Sequence, residues 1–145
     1  MTLTLNSSRF GGVQVSEPAL IDFPYGLIGL PSGRYALLTR GTFTWLQSVD
    51  DPGLALPVAD PRRFFAGYAV EMTDHDATRL DLPEPDETAL FVTIRISSDG
   101  EGFTANLRAP LLVGDGRGYQ VINQLPEVPL RAPLRREGNG ALRAA

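Results

Sequence analysis

The chain has no cysteine, no lysine, one histidine and one tryptophan in 145 residues. Each absence removes some chemistry. Without cysteine there is no disulfide, no thiolate nucleophile and no Cys-ligated zinc, and a cytoplasmic location is the expectation. A lone histidine leaves no second imidazole to complete a metal site. No apolar run approaches the roughly 20 residues of a membrane span. The opening MTLTLNSSRF lacks a basic region followed by an apolar core, so no signal peptide is expected. No helical stripe runs for ten residues, and no internal repeat is present. All 13 basic residues are arginine. With abundant Ala, Gly and Pro, this fits the nucleotide composition of the source better than a need for guanidinium chemistry.

What remains is a β-rich chain of ordinary composition, 43% hydrophobic and 21% charged, long enough for a single core. Residues 42–61, TFTWLQSVDDPGLALPVADP, organise it. Phe43, Trp45, Gln47 and Val49 alternate as on a half-buried strand, and Leu54, Leu56 and Val58 alternate on the return. Asp51-Pro52-Gly53 supplies the turn between them, with glycine expected at positive φ as in a type II turn. Gln47 shares a face with Trp45, so its amide is either buried with partners or exposed at a binding surface. Further strands are predicted at 2–6, 34–40 and 90–96, with short apolar pieces at 13–15 and 19–21. An extended pattern is expected at 68–72. Phe103, Ala105, Leu107, Ala109, Leu111 and Val113 read as one long strand, with Pro110 marking an edge or bulge. Helical turns are expected at 62–65 and 74–80. The fold expected is all-β: a single-domain, small β-barrel-like fold of mostly antiparallel strands over residues 1–130. An Arg-rich tail at 131–145 is expected to lose order near Arg135.

Catalytic constellations are thin. His75 in Asp74-His75-Asp76 is the one candidate for a small hydrolase or a metal-dependent enzyme, yet adjacent residues do not converge easily on one ion. No serine sits in a nucleophile-elbow context. The run Gly114-Asp115-Gly116-Arg117-Gly118 lacks the lysine and helix of a phosphate loop and reads as a hairpin connection. Residues 50–87 hold ten acids against three arginines, a net of −7, whereas 131–145 carry a net of +3. The acidic middle repels nucleic acid and suits a basic protein partner; a merely solvated acidic face is the competing reading.

Five segments in register carry a family resemblance. They are Phe23-Pro24-Tyr25-Gly26-Leu27-Ile28-Gly29, Trp45-Leu46-Gln47-Ser48-Val49-Asp50-Asp51-Pro52, Asp60-Pro61 with Tyr68, Asn106-Leu107-Arg108-Ala109-Pro110, and Gln120-Val121. Together they resemble the flagellar assembly factor family FliW. Leu30-Pro31 stand where that family usually has an aromatic and an acid, Leu56 where it favours phenylalanine, and the end after Pro133 matches nothing in it. The resemblance implies a cytoplasmic, monomeric, barrel-like protein without catalysis, cofactor, metal, nucleic acid or membrane contact. It implies two partners: the RNA-binding translational regulator CsrA, which the family sequesters, and flagellin, which releases the regulator. Candidate partner-binding residues are Phe23, Pro24, Gly26, Asp50, Asp51, Asp74, Asp76, Asn106, Arg108 and Pro110. Trp45, Leu46, Gln47, Asp60, Pro61, Tyr68 and Gln120 are expected to be structural.

Overall fold

The computed structural model describes residues 2–30, 32–41, 43–98, 102–137 and 142–144. Pro31, Thr42, the tip of the 97–102 loop and residues 138–141 of the Arg-rich end lie outside them. The strands are β1 (Thr2–Ser7), β2 (Gly11–Ser16), β3 (Leu20–Phe23), β4 (Gly33–Arg40), β5 (Phe43–Ser48), β6 (Ala55–Ala59), β7 (Ala89–Ile96), β8 (Phe103–Ala105), β9 (Leu111–Gly114), β10 (Arg117–Gln120), β11 (Ala132–Arg136) and β12 (Leu142–Ala144). Among the described residues one short α-helix, α1 (Asp74–Arg79), and 3-10 turns at Glu17–Ala19, Pro61–Arg63 and Pro85–Glu87 interrupt them.

Seven strands close a barrel in the order β7-β6-β5-β4-β3-β10-β9, with β9 returning to β7. Only the β3–β10 contact is parallel among the described strands; the other pairs are antiparallel. β7 serves two sheets. Ala89, Leu90 and Phe91 pair with β9, and Ile94, Arg95 and Ile96 pair with β8. From β8 a side sheet continues through β11 to β12. β1 and β2 form a separate hairpin.

The period-two pattern decides which side of the barrel wall each residue faces. Register sets Tyr35, Leu37, Leu46, Leu56 and Val58 on the inner face. There they join Ile21, Phe23 and Leu111 in one apolar cluster. The outer face of β4 and β5 carries Ala36, Leu38, Phe43 and Trp45. It is covered in turn by Leu5, Val13 and Val15 of the first hairpin and by Phe103, Ala105 and Leu134 of the side sheet. β5 is therefore buried on both faces, not half-buried as the alternation predicts. Gln47 lies on the Trp45 face and is fully buried with partners. It accepts from Ser7 Oγ at 2.6 Å, and its amide donates to the carbonyls of Ser48 and Leu54, both at 3.1 Å.

Four expectations need correction. Gly53 does not take positive φ, so the Asp51–Leu54 turn is not type II. The Asp51 carboxylate accepts from Gly53 N at 2.9 Å and fixes the turn instead. The predicted strand over 103–113 is two strands with a loop between them. The side chain of Asn106 accepts from Arg108 N and Ala109 N, folding 106–109 into an Asx-type turn. Residues 68–72 form no strand. Finally, Ala132–Arg136 is a strand with Ala132 and Leu134 buried against the outer core, where the sequence suggests a fading tail. Its prolines and arginines hide a two-residue apolar period.

Candidate protein-docking surface

β6 and β7 pair only at Val58–Thr93 and Ala59–Val92, then diverge. Pro57 explains the separation. Ser48 N donates to Leu54 O, which fixes the alternation of the β5–β6 ladder. Counting from that bond, residue 57 turns its nitrogen toward β7, and proline has no hydrogen to give there. The ladder stops, and a groove of about 520 Å³ opens between the strands. Trp45, Ile94 and Ala109 are buried in its floor, with half-buried Ala55, Leu56 and Pro57 along one wall.

Four of the five large apolar side chains most exposed among the described residues ring this groove: Ile28 (63%), Leu130 (58%), Ile122 (44%) and Ile96 (41%). Scattered exposed apolar residues are ordinary, but four lining one concave floor make it a candidate docking surface. Hydrogen bonds hold the ring's loops. Gln120 Oε1 accepts from Ile28 N at 2.7 Å while its amide donates to Ala109 O at 2.9 Å, tying the 24–30 loop to the 106–110 loop. Arg108 Nε donates to Val128 O at 3.0 Å and Leu107 N to Pro129 O at 3.1 Å, anchoring the segment that carries Leu130. The groove is preformed, so a partner has little backbone to order.

A second depression lies under α1, lined by Met72, Ala77, Leu80, Leu82, Leu90 and Leu112. Thr73 caps α1 through Asp76 N, and Arg79 pairs with Asp76 while its guanidinium lies 4.5 Å over Tyr25. Asp74 and His75 are exposed on this helix. Among the described residues no group of three or more His, Asp or Glu is placed to hold a metal ion, and no helix is long and apolar enough to cross a membrane.

The candidate residues separate by burial. Phe23 and Pro110 are fully buried and Gly26 is buried, so these three present no contact surface. Phe23 stands edge-on to Tyr35 at 5.4 Å in the barrel interior, and Gly26 takes φ 73° in a turn. Pro24, Asp50, Asp51, Asp74 and Arg108 are exposed, and Asn106 and Asp76 half-buried. The structure carries Asp50 and Asp51 on the β5–β6 turn and Asp74 and Asp76 on α1, two separate elements. Trp45 and Leu46 are core. Asp60 caps the turn at Pro61, accepting from Arg62 N at 2.9 Å. Its carboxyl is held below the usual range by the Arg62 side-chain bond, with burial opposing. Tyr68 donates to Leu107 O at 2.6 Å.

Sequence reasoning missed most of the groove. Ile96, Ile122 and Leu130 come from three distant segments without shared periodicity. Pro57 was the available signal, since proline inside an alternating strand implies a ladder broken on one side. Asn123 was also missed. It is buried, accepts from Glu71 N and donates to Ala69 O, pinning the 68–72 segment to the strand-end loop.

The family model described as FliW protein matches residues 4–134. A flagellar assembly factor FliW of Geobacter sulfurreducens is 33% identical over 118 residues, covering 79% of this chain and 74% of that one. One of Syntrophus aciditrophicus is 33% identical over 135 residues, covering 89% and 85%. A crystal structure of the flagellar assembly factor FliW superposes with a TM-score of 0.76 at 26% identity, over 92% of this chain and 96% of that one. By the family model and these relatives, the chain belongs to the FliW family of flagellar assembly factors.

Proposed function

We propose that this assembly factor acts by binding alone, in the cytoplasm as a monomer, holding a CsrA-type translational regulator on its acidic surface and flagellin in the groove. Free flagellin then releases the regulator and restores repression of flagellin synthesis, a circuit of linked binding equilibria. The single observation that carries this reading is the apolar ring of Ile28, Ile96, Ile122 and Leu130 around a preformed concave floor. A groove of that kind suits the apolar face of a helix from a partner's chain terminus. Exposed Asp50, Asp51 and Asp74 support the regulator half, because a basic RNA-binding dimer is attracted to an acidic surface.

Titration of the purified chain with purified flagellin and with purified regulator tests both halves. Ile28→Asp is expected to weaken flagellin binding at least tenfold and leave regulator binding unchanged. Charge reversal of Asp50, Asp51, Asp74 and Asp76 together is expected to weaken regulator binding about tenfold, at roughly 0.2–1 kcal/mol per exposed pair, and to flatten its salt dependence. Unchanged affinity in either titration removes that half.

A further inference from the structure

The groove carries positive charge and no negative charge. Arg9, Arg95 and Arg108 line it, and no aspartate or glutamate does. Arg131 lines the adjoining depression beside Arg95. This stands out in a chain whose net charge is −4. The ion pairs among the described residues use Arg62, Arg79, Arg117 and Arg143, so none is spent on these four arginines. Two of the groove arginines are held in place by uncharged contacts. Arg9 lies 4.5 Å over the Trp45 ring, and Arg108 is fixed through Nε to Val128 O. Arg95 is exposed on β7.

We propose that the occupant of this groove is an acid-flanked amphipathic helix. Its large aliphatic side chains, spaced three and four apart, fill the space between Ile28, Ile96, Ile122 and Leu130. Carboxylates on the flanking positions of the same helix meet Arg95 and the outer edges of Arg9 and Arg108. Guanidinium groups accept carboxylates in a forked geometry that fixes register as well as attraction. A helix fits better than an added strand. Strand addition needs a continuous row of free N–H and C=O groups, and Pro57 breaks that row on one wall while the ring's side chains come from four separate segments. This inference rests on the reading that the groove receives a partner helix, and adds the charge that partner must carry. It also keeps the basic regulator out of the groove, because the rim repels it.

The test uses the full chain and three labelled synthetic 18-residue peptides with leucines at helical spacing. One has glutamates on the flanks, one has lysines there, and one is the glutamate peptide with two central prolines. Fluorescence anisotropy is read at low and high salt, with purified flagellin titrated in parallel. The glutamate peptide is expected to bind at least tenfold more tightly than the lysine peptide, with a gap that narrows in high salt. Arg95→Glu is expected to narrow the gap at least threefold, and Ile122→Asp to weaken the glutamate peptide at least tenfold; both residues are exposed, so folding is retained and is checked by circular dichroism. Equal binding of the first two peptides, full binding of the proline peptide, or no binding of any peptide overturns the proposal. Flagellin binding that is lost with Ile122→Asp but indifferent to Arg95→Glu and to salt overturns the charge rule and leaves the groove reading standing. Flagellin binding untouched by Ile122→Asp overturns the groove reading for flagellin, while the peptides still decide the charge rule.

Discussion

Gln47 sits at the centre of a buried polar cluster. Its carbonyl receives the Ser7 hydroxyl and its amide reaches the carbonyls of the 48–54 turn, so one side chain joins the first hairpin to the organising hairpin. Gln47, Ser7 and Ser48 are all buried. Gln47→Leu keeps the volume but removes the acceptor of the Ser7 hydroxyl proton and the amide that donates to the turn carbonyls. A loss of about 1–3 kcal/mol is expected in urea unfolding, and Ser7→Ala on top of it is expected to cost much less than it does alone. Two tyrosines set a limit at high pH. Burial pushes the Tyr68 hydroxyl above its ordinary 10.0, against a smaller opposing effect from the Asn123 amide. Burial also raises Tyr35, reinforced by the charges of Asp51 and Asp50. In the unfolded chain both ionise near their ordinary value, while the folded chain keeps both protons. Stability is therefore fully present below about pH 10 and falls as pH rises through the raised values. Unfolding midpoints from pH 8 to 11 are expected to drop at the upper end, with a shallower drop in Tyr68→Phe.

β10 passes close to β3. Gly118 faces Phe23 so closely that a β-carbon there would lie 2.5 Å from the ring. Phe23 is fully buried and stacked edge-on against Tyr35, so it has nowhere to retreat. Gly118→Ala is expected to cost about 1–3 kcal/mol by thermal unfolding, because overpacking a dense core forces backbone shifts. Gly116→Ala tests a different cost at the adjoining hairpin. Asp115 and Gly116 both take positive φ, as the two-residue connection between β9 and β10 requires. That connection was legible from GDGRG alone, as were β4, β5, β6 and β7, because alternation and turn residues are local signals. The break between β8 and β9 was not. Phe103 to Ala109 alternates and Pro110 alone hinted at an interruption, while the bonds from Arg108 N and Ala109 N to the Asn106 side chain, which turn the chain away from the sheet, leave no mark on the alternation.

At the scale of the whole molecule, the barrel was readable and its closure was not. Strand count and turn spacing imply an all-β fold, but the parallel contact of β3 with β10 joins residues far apart in sequence through a single register pair. The site was readable in pieces. The 23–29 and 106–110 segments were both singled out, and the structure brings Leu27 and Ile28 of one and Arg108 and Ala109 of the other to the same groove. Their most conspicuous members, Phe23 and Pro110, turn inward, and the contact surface passes to neighbours such as Ile28 and Arg108. Alternation along a loop says nothing about which side chain points out.

β7 belongs to the barrel at one end and to the side sheet at the other, and it also forms a wall of the groove. Neither half can peel away while that shared rib stays whole, so heat is expected to melt the chain in one step by any spectroscopic probe. A partner lodged against the rib braces both halves together. Amide exchange is then expected to slow in β9 and in β11 alike on occupancy, although neither strand touches the guest.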